Sequence, residues 1–179
     1  MHGREINFHE VHLAFVFAKE APSGPMTQAH FFLAGQGVPV CSPSALARLG
    51  HKPETVADFL TLGLLHDGAP AGWATWLSGL DSAPPPPTQA STHDGATFED
   101  FNLLRAAALS GQGVALCPQA MIQPDLKSGG LVQVSQRVQD DGFNYYLLSS
   151  STAAPLVTHQ AQTFRNWALS EREDLLTIA

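Results

Sequence analysis

Residues 97–116, Thr-Phe-Glu-Asp-Phe-Asn-Leu-Leu-Arg-Ala-Ala-Ala-Leu-Ser-Gly-Gln-Gly-Val-Ala-Leu, read as a helix that stops on a glycine turn and runs directly into a buried strand. Thr97 with Asp100 three residues later has capping-box spacing, with Asp in place of the usual Glu or Gln. Leu103, Ala106, Ala107 and Leu109 supply an apolar face, and Gly111 is placed to take the left-handed conformation that ends a helix. The first backbone N–H groups of such a helix have no intrahelical partner, so its start can hold an anion or a polar ligand.

On either side of this stretch, strand-like and helix-like segments alternate. Val11–Phe17 is an apolar run read as a buried strand, and Gln28–Leu33 as a second. Val38-Pro39-Val40-Cys41 is extended, with Pro39 favouring an edge or crossing strand. Ser42 then caps a helix that has Pro43 in its first turn. A short helix over Lys52–Leu60 ends near Gly63, Leu62–His66 is a strand, and Ala71–Leu80 is a helix with Trp73, Trp76, Leu77 and Leu80 at helical spacing. Pro84–Pro87 opens a polar connector. Beyond the opening segment come a helix or turn over Met121–Leu126, strands at Leu131–Val134 and Tyr145–Ser149, and a helix over Pro155–Leu169 with Leu156, Phe164, Trp167 and Leu169 on its apolar side. Alternating elements point to a layered α/β domain with a largely parallel sheet. Gly35–Cys41 echoes Gly111–Cys117, an echo attributed to two similar lobes or to chance.

Composition narrows the function classes. With 179 residues the chain makes one domain or two small lobes, and 44% hydrophobic residues support a core. Only 14% are charged, so some apolar surface is expected to meet a partner. Nine Lys and Arg against sixteen acids, net −7, make no basic face for nucleic acid. Neither a membrane span nor a signal peptide is visible, and the cytoplasm is the expected location. Cys41 and Cys117, far apart beside apolar runs, read as buried free thiols.

Catalytic and cofactor motifs are incomplete. His9-Glu10-Val11-His12 brings its second histidine one residue too early for the zinc-protease helix. A Gly-x-Ser-x-Gly elbow and a phosphate-binding loop are both missing, and Gly111-Gln112-Gly113 follows a helix rather than preceding one. No enzyme activity, metal or cofactor is expected. Three places remain where strands end or helices start, the usual ligand positions in open α/β sheets. They are Cys41-Ser42-Pro43-Ser44, His66-Asp67-Gly68 leading to Trp73, and Thr97–Asn102. At each, capping or turn formation is the competing reading.

The ordered series Val38–Leu46, Leu64–Asp67 with Trp73 and Trp76-Leu77, Phe98–Leu103 through Ala107–Leu116, Tyr145–Leu147 and Phe164–Leu169 resembles the effector-binding domain of LysR-type transcriptional regulators, nearest the subgroup that activates glycine-cleavage genes. The resemblance covers about residues 5–170. It implies a periplasmic-binding-protein-like (type 2) α/β fold of two lobes joined by crossing strands, here Val38–Ser42 and Tyr145–Leu148. The first lobe would hold residues 1–41 and 143–179, the second 42–142. The family's helix-turn-helix, and the first strand, first helix and second strand of its effector domain, have no counterpart, so the first lobe is expected to be incomplete. Val11–Phe17 resembles a later strand of the family, with His12 and Val16 where that pattern has Asp and Arg.

The implied function is sensing a small effector, a carboxylate or an amino acid, without binding DNA or membrane, with the lobes mediating homo-oligomerisation. Ser42, His66, Asp67, Trp73, Phe101 and Asn102 are the expected ligand-binding residues, with Ser42 and the helix start donating hydrogen bonds and Phe101 and Trp73 forming apolar walls. The rivals are a stand-alone solute-binding protein and a dimerising remnant that modulates full-length regulators.

Overall fold

The computed structural model describes residues 6–8, 11–24, 27–68, 71–80, 92–150 and 155–176. The proline run at 84–87 and two residues of the histidine motif, His9 and Glu10, lie outside the described residues. The chain divides into two compact units, one of residues 1–35 with 140–179 and one of residues 36–139.

The first unit is a three-stranded antiparallel sheet. Its strands are β1 (Leu13–Ala18), β2 (Thr27–Ala34) and β8 (Asn144–Ser150), in the order β1-β8-β2. Leu13 pairs with Ser149 and Ala18 with Asn144 on one side of β8, and Thr27 with Ser150 on the other, with a register shift between Phe31 and Leu33. The final helix of the chain, Pro155–Leu176, lies against β2. Burial is concentrated in the central strand: Leu147 and Leu148 are buried, while Phe15 on edge strand β1 is 50% exposed. The expectation of a buried first strand is thus corrected, because an edge strand has one neighbour to cover it. The apolar side expected for the final helix is also corrected: among the described residues Ala168 is its buried one, Phe164 and Trp167 are exposed, and the side chain of Leu156 lies outside the description.

The second unit is a five-stranded sheet of β3 (Gly37–Cys41), β4 (Leu64–Asp67), β5 (Ala96–Phe98), β6 (Val114–Pro118) and β7 (Val132–Gln133), in the order β5-β4-β6-β3-β7. β4 runs parallel to β5 and β6, whereas β3 is antiparallel to β6 and β7. A largely parallel sheet is therefore not what forms: the first sheet is antiparallel and the second mixed. β3 belongs to this sheet, so the division falls after Gly35 rather than at residue 41. Pro39 sits in an internal strand. Its carbonyl accepts from Val134 N (3.0 Å), and its missing N–H faces the same side, where β7 pairs regularly only with Val40 and Cys41. The echoed segments are partners, Val38 opposite Cys117 and Val40 opposite Ala115, so two similar lobes do not explain them.

Alternation along the strands builds two cores. Val38, Val40, Leu65, Ala115 and Cys117 face one way and pack with Leu104 and Ala108. Cys41, Leu64 and Val114 face the other way and pack with Phe59, Trp73 and Trp76. The helices on this second face are α1 (Pro43–Leu49), α2 (Val56–Leu62) and α3 (Ala71–Leu77); the first face carries α4 (Phe101–Leu109). A 3-10 turn, Gln119–Ile122, leads to α5 (Gln123–Ser128), and the final helix is α6.

Local chemistry sets the helix ends. Thr55 and Asp58 form a reciprocal capping box at α2. At α4 the structure corrects the sequence reading. The N-cap is Asp100, whose carboxylate accepts from Asn102 N (2.8 Å) and Leu103 N (3.3 Å), while Thr97 lies in β5 opposite His66. The buried face is Leu104, Ala107 and Ala108, and Leu103 is 60% exposed. Gly111 has φ +81°, the left-handed turn expected of it. At Gly113 a Cβ would run into the carbonyl of Gly63, which accepts from Val114 N at 2.9 Å. Arg105 of α4 grips Asp125 of α5 through two bonds of 2.5 Å, tying the helices on this face together.

Candidate functional site

The carboxyl ends of the parallel strands β4 and β5 bring the candidate residues Asp67, Phe101 and Asn102 to one edge of the second unit. Asp67 ends β4 opposite Phe98, which ends β5. Gly68 turns the chain there and donates its N–H to Phe98 O (2.8 Å). Asp100, Phe101 and Asn102 follow two residues after Phe98 as the cap and first turn of α4. The Asp67 carboxyl is pushed above the usual carboxylate range, first by partial withdrawal from water and second by the charge of Asp100. This edge thus holds two neighbouring carboxylates, one of them biased toward taking up a proton. Phe101 is half-buried beside them and Asn102 is exposed.

Adjacent strand residues point to opposite faces, so His66 does not share Asp67's surroundings. It is 1% exposed, its Nε2 is 3.2 Å from Asp94 O, and its buried Nδ1 has no hydrogen-bond partner among the described residues. Trp73 is 2% exposed, donates from Nε1 to Leu65 O (2.9 Å), and packs against Phe59 and Trp76. It is part of the core and not a free wall.

Ser42 lies at the other end of the sheet. β3 runs against β6, so the end of β3 sits beside the start of β6 and next to the turn at Gly111. The Ser42 hydroxyl accepts from Ala45 N (3.2 Å) and contacts Ser44 Oγ (2.9 Å); Arg48 closes the corner by donating to Gly111 O (2.6 Å). Ser42 is therefore placed as a cap, away from Asp67 and Asn102.

The sequence places Asp100 as the capping-box partner of Thr97, whereas it is itself the N-cap of α4. Its carboxylate occupies the N–H groups that could otherwise meet an anion, so the start of α4 is already neutralised. The signal was present: Asp100 directly precedes Phe101-Asn102-Leu103-Leu104, and Ala96-Thr97-Phe98 before it has strand-like composition.

Cys41 and Cys117 are free and buried, and burial first of all pushes their thiols up to about 11 and about 12. Among the described residues, no group of three or more His, Cys, Asp and Glu side chains has metal-site geometry, and no helix is long and apolar enough to cross a membrane.

A family model described as the LysR substrate binding domain matches residues 4–172. The glycine cleavage system transcriptional activator of Escherichia coli K12 is 31% identical over 135 residues, 75% of this chain and 41% of that protein. The HTH-type transcriptional regulator TrpI of Pseudomonas aeruginosa is 30% identical over 112 residues, 62% of this chain and 36% of that protein. The chain thus spans about two fifths of the length of these relatives. Among solved structures, the AmpR effector binding domain from Citrobacter freundii superposes with a TM-score of 0.70 at 23% identity, covering 95% of this chain and 80% of that one. The CrgA regulatory domain from Neisseria meningitidis gives 0.63 at 17% identity, covering 93% and 80%. These likenesses establish the periplasmic-binding-protein-like type 2 α/β fold. With the family model matched along nearly its whole length, the chain belongs to the family of LysR substrate-binding domains.

Proposed function

We propose that the chain senses a small-molecule effector for a LysR-type transcriptional regulator, and that the effector meets the second unit at the edge built by Asp67, Phe101 and Asn102. The observation that carries this reading is the position of Asp67 at the carboxyl end of β4, opposite Phe98, which lies two residues of chain short of the Asp100 cap of α4. The chemistry favours an amino acid over a bare carboxylate. Two carboxylates lie together here and the helix N–H groups are already bonded, so an ammonium group fits Asp67 while a lone carboxylate meets repulsion. Phe101 supplies an apolar contact and Asn102 an amide, the mixed lining typical of small-ligand sites. His66 supports the strand from behind, and Ser42 and Trp73 act through the fold.

Binding rather than catalysis is the proposed role, since the similar proteins are transcription regulators. The net charge of −7 supports a chain that does not itself contact DNA, and the two units are proposed to correspond to the family's two lobes. Homo-oligomerisation through the lobes and a cytoplasmic location belong to the same proposal.

Isothermal calorimetry against a panel of amino acids and their decarboxylated and deaminated analogues tests the site. The expected result is binding of an amino acid, weakened about tenfold or more by Asp67→Asn and by Asn102→Ala, as loss of a charge-assisted bond implies. Affinity unchanged by both substitutions, or full binding of the deaminated analogue, refutes the assignment.

A further inference from the structure

The first unit carries a cationic cluster that neither its sheet nor the proposed effector site uses. His30 lies on β2 opposite Leu147 of β8. Its Nε2 is buried and has no hydrogen-bond partner among the described residues. Arg165, Ala168 and Arg172 recur along one stripe of α6, at steps of three and four residues. Ala168 is buried, and the arginines on either side are half-buried. The small residue marks the close approach of the helix, with a guanidinium on each flank.

Among the described residues, neither guanidinium is matched by an acid. Arg172 donates from Nη1 to Phe31 O (2.6 Å), but its buried Nε has no hydrogen-bond partner among the described residues. Arg165 reaches only as far as its neighbour Asn166, at 3.3 and 3.4 Å from Oδ1. Among the described residues, the ion pairs are His51–Asp58 and Arg105–Asp125, both in the other unit. Leu147 brings no charge opposite His30, and Glu171, beside Arg172, is exposed. The charges of both arginines reach His30, which burial first and then Arg165 and Arg172 hold below the ordinary histidine value.

Buried donors and charges without acceptors are costly, and two arginines with a histidine are the donor set that oxyanions fill. We propose that His30, Arg165 and Arg172 form an oxyanion site at the β2–α6 junction of the first unit, taking a sulfate-, phosphate- or carboxylate-type group. The anion would supply acceptors for Arg172 Nε and His30 Nε2 and offset the charge of the two guanidinium groups. Its arrival favours the imidazolium form of His30, so uptake of the anion is coupled to uptake of a proton there.

The test follows the His30 Cε1 proton by NMR, assigned by its loss in His30→Gln, while sulfate is added at constant ionic strength against chloride. The expected result is a saturable shift of the His30 signal and an upward move of its titration midpoint. Arg165→Gln, which leaves the Arg172–Phe31 bond in place, should weaken sulfate about tenfold. Arg172→Gln should do the same where it folds. Acetate acting in place of sulfate would also support the site and assign it to carboxylates. A His30 signal that neither anion moves beyond matched chloride, or an undiminished response in Arg165→Gln, overturns the proposal.

Discussion

Replacing Trp73 with Phe separates a core role from a ligand-wall role. The indole is 2% exposed, with Phe59 and Trp76 at ring-centroid distances of 6.0 and 5.6 Å. Its Nε1 donates to Leu65 O in the buried middle of β4. Phenylalanine preserves an aromatic ring but removes that donor, and a carbonyl left without its partner costs about 1–2 kcal/mol. The phenyl ring is smaller than the indole, and the void it leaves adds about 1–2 kcal/mol more. Together the expected loss is about 3 kcal/mol for the second unit. With a urea m-value of about 2 kcal/mol/M, the unfolding midpoint falls by about 1.5 M. Far-UV circular dichroism measures this directly. The affinity of the folded protein for any effector found by calorimetry should stay the same. A midpoint shift below about 0.5 M, or a lost affinity with stability intact, would refute the core assignment.

Two further outcomes follow from local chemistry. Asp58 accepts from the backbone N–H groups of Glu54 (3.0 Å) and Thr55 (2.9 Å), and these bonds hold its carboxyl well below the ordinary carboxylate range. A depressed acid stabilises the fold above its unfolded value of about 3.9, and that contribution is lost as pH falls through the lower folded value. Asp58→Ala should therefore cost about 1 kcal/mol at pH 7, with the gap to wild type closing only below about pH 4, as thermal melts across pH will register. Cys41 and Cys117, with thiols raised to about 11 and about 12 by burial, should both resist a thiol reagent at pH 8 and react after denaturation; rapid native labelling of either would contradict the packing.

The candidate site was only partly legible in the sequence. Asp67, Phe101 and Asn102, the residues of the proposed site, are suggested by strand ends and helix starts, which local composition announces. Ser42 does not join them: it lies at the other end of the sheet because β3 runs antiparallel to β6, and strand direction is not written in a strand's own residues. Trp73 and His66 look like ligand residues in a linear reading, and burial turns them inward. The cap of α4 was misplaced by three residues because Thr97 and Asp100 are both good caps, and only pairing of Thr97 with His66 decides between them.

The sequence by itself determined the elements and the family, because helix caps, glycine turns and apolar periodicity act over a few residues, and their order along the chain carries the resemblance. Tertiary structure decided what required distant partners. It set the mixed sheet order, paired the two echoed Gly-x-Gly strands, and closed the helix start with Asp100. It also placed Arg172 of α6 on the carbonyl of Phe31, next to His30 and more than a hundred residues away in sequence. Such contacts follow from packing and strand pairing, which no local run of residues encodes.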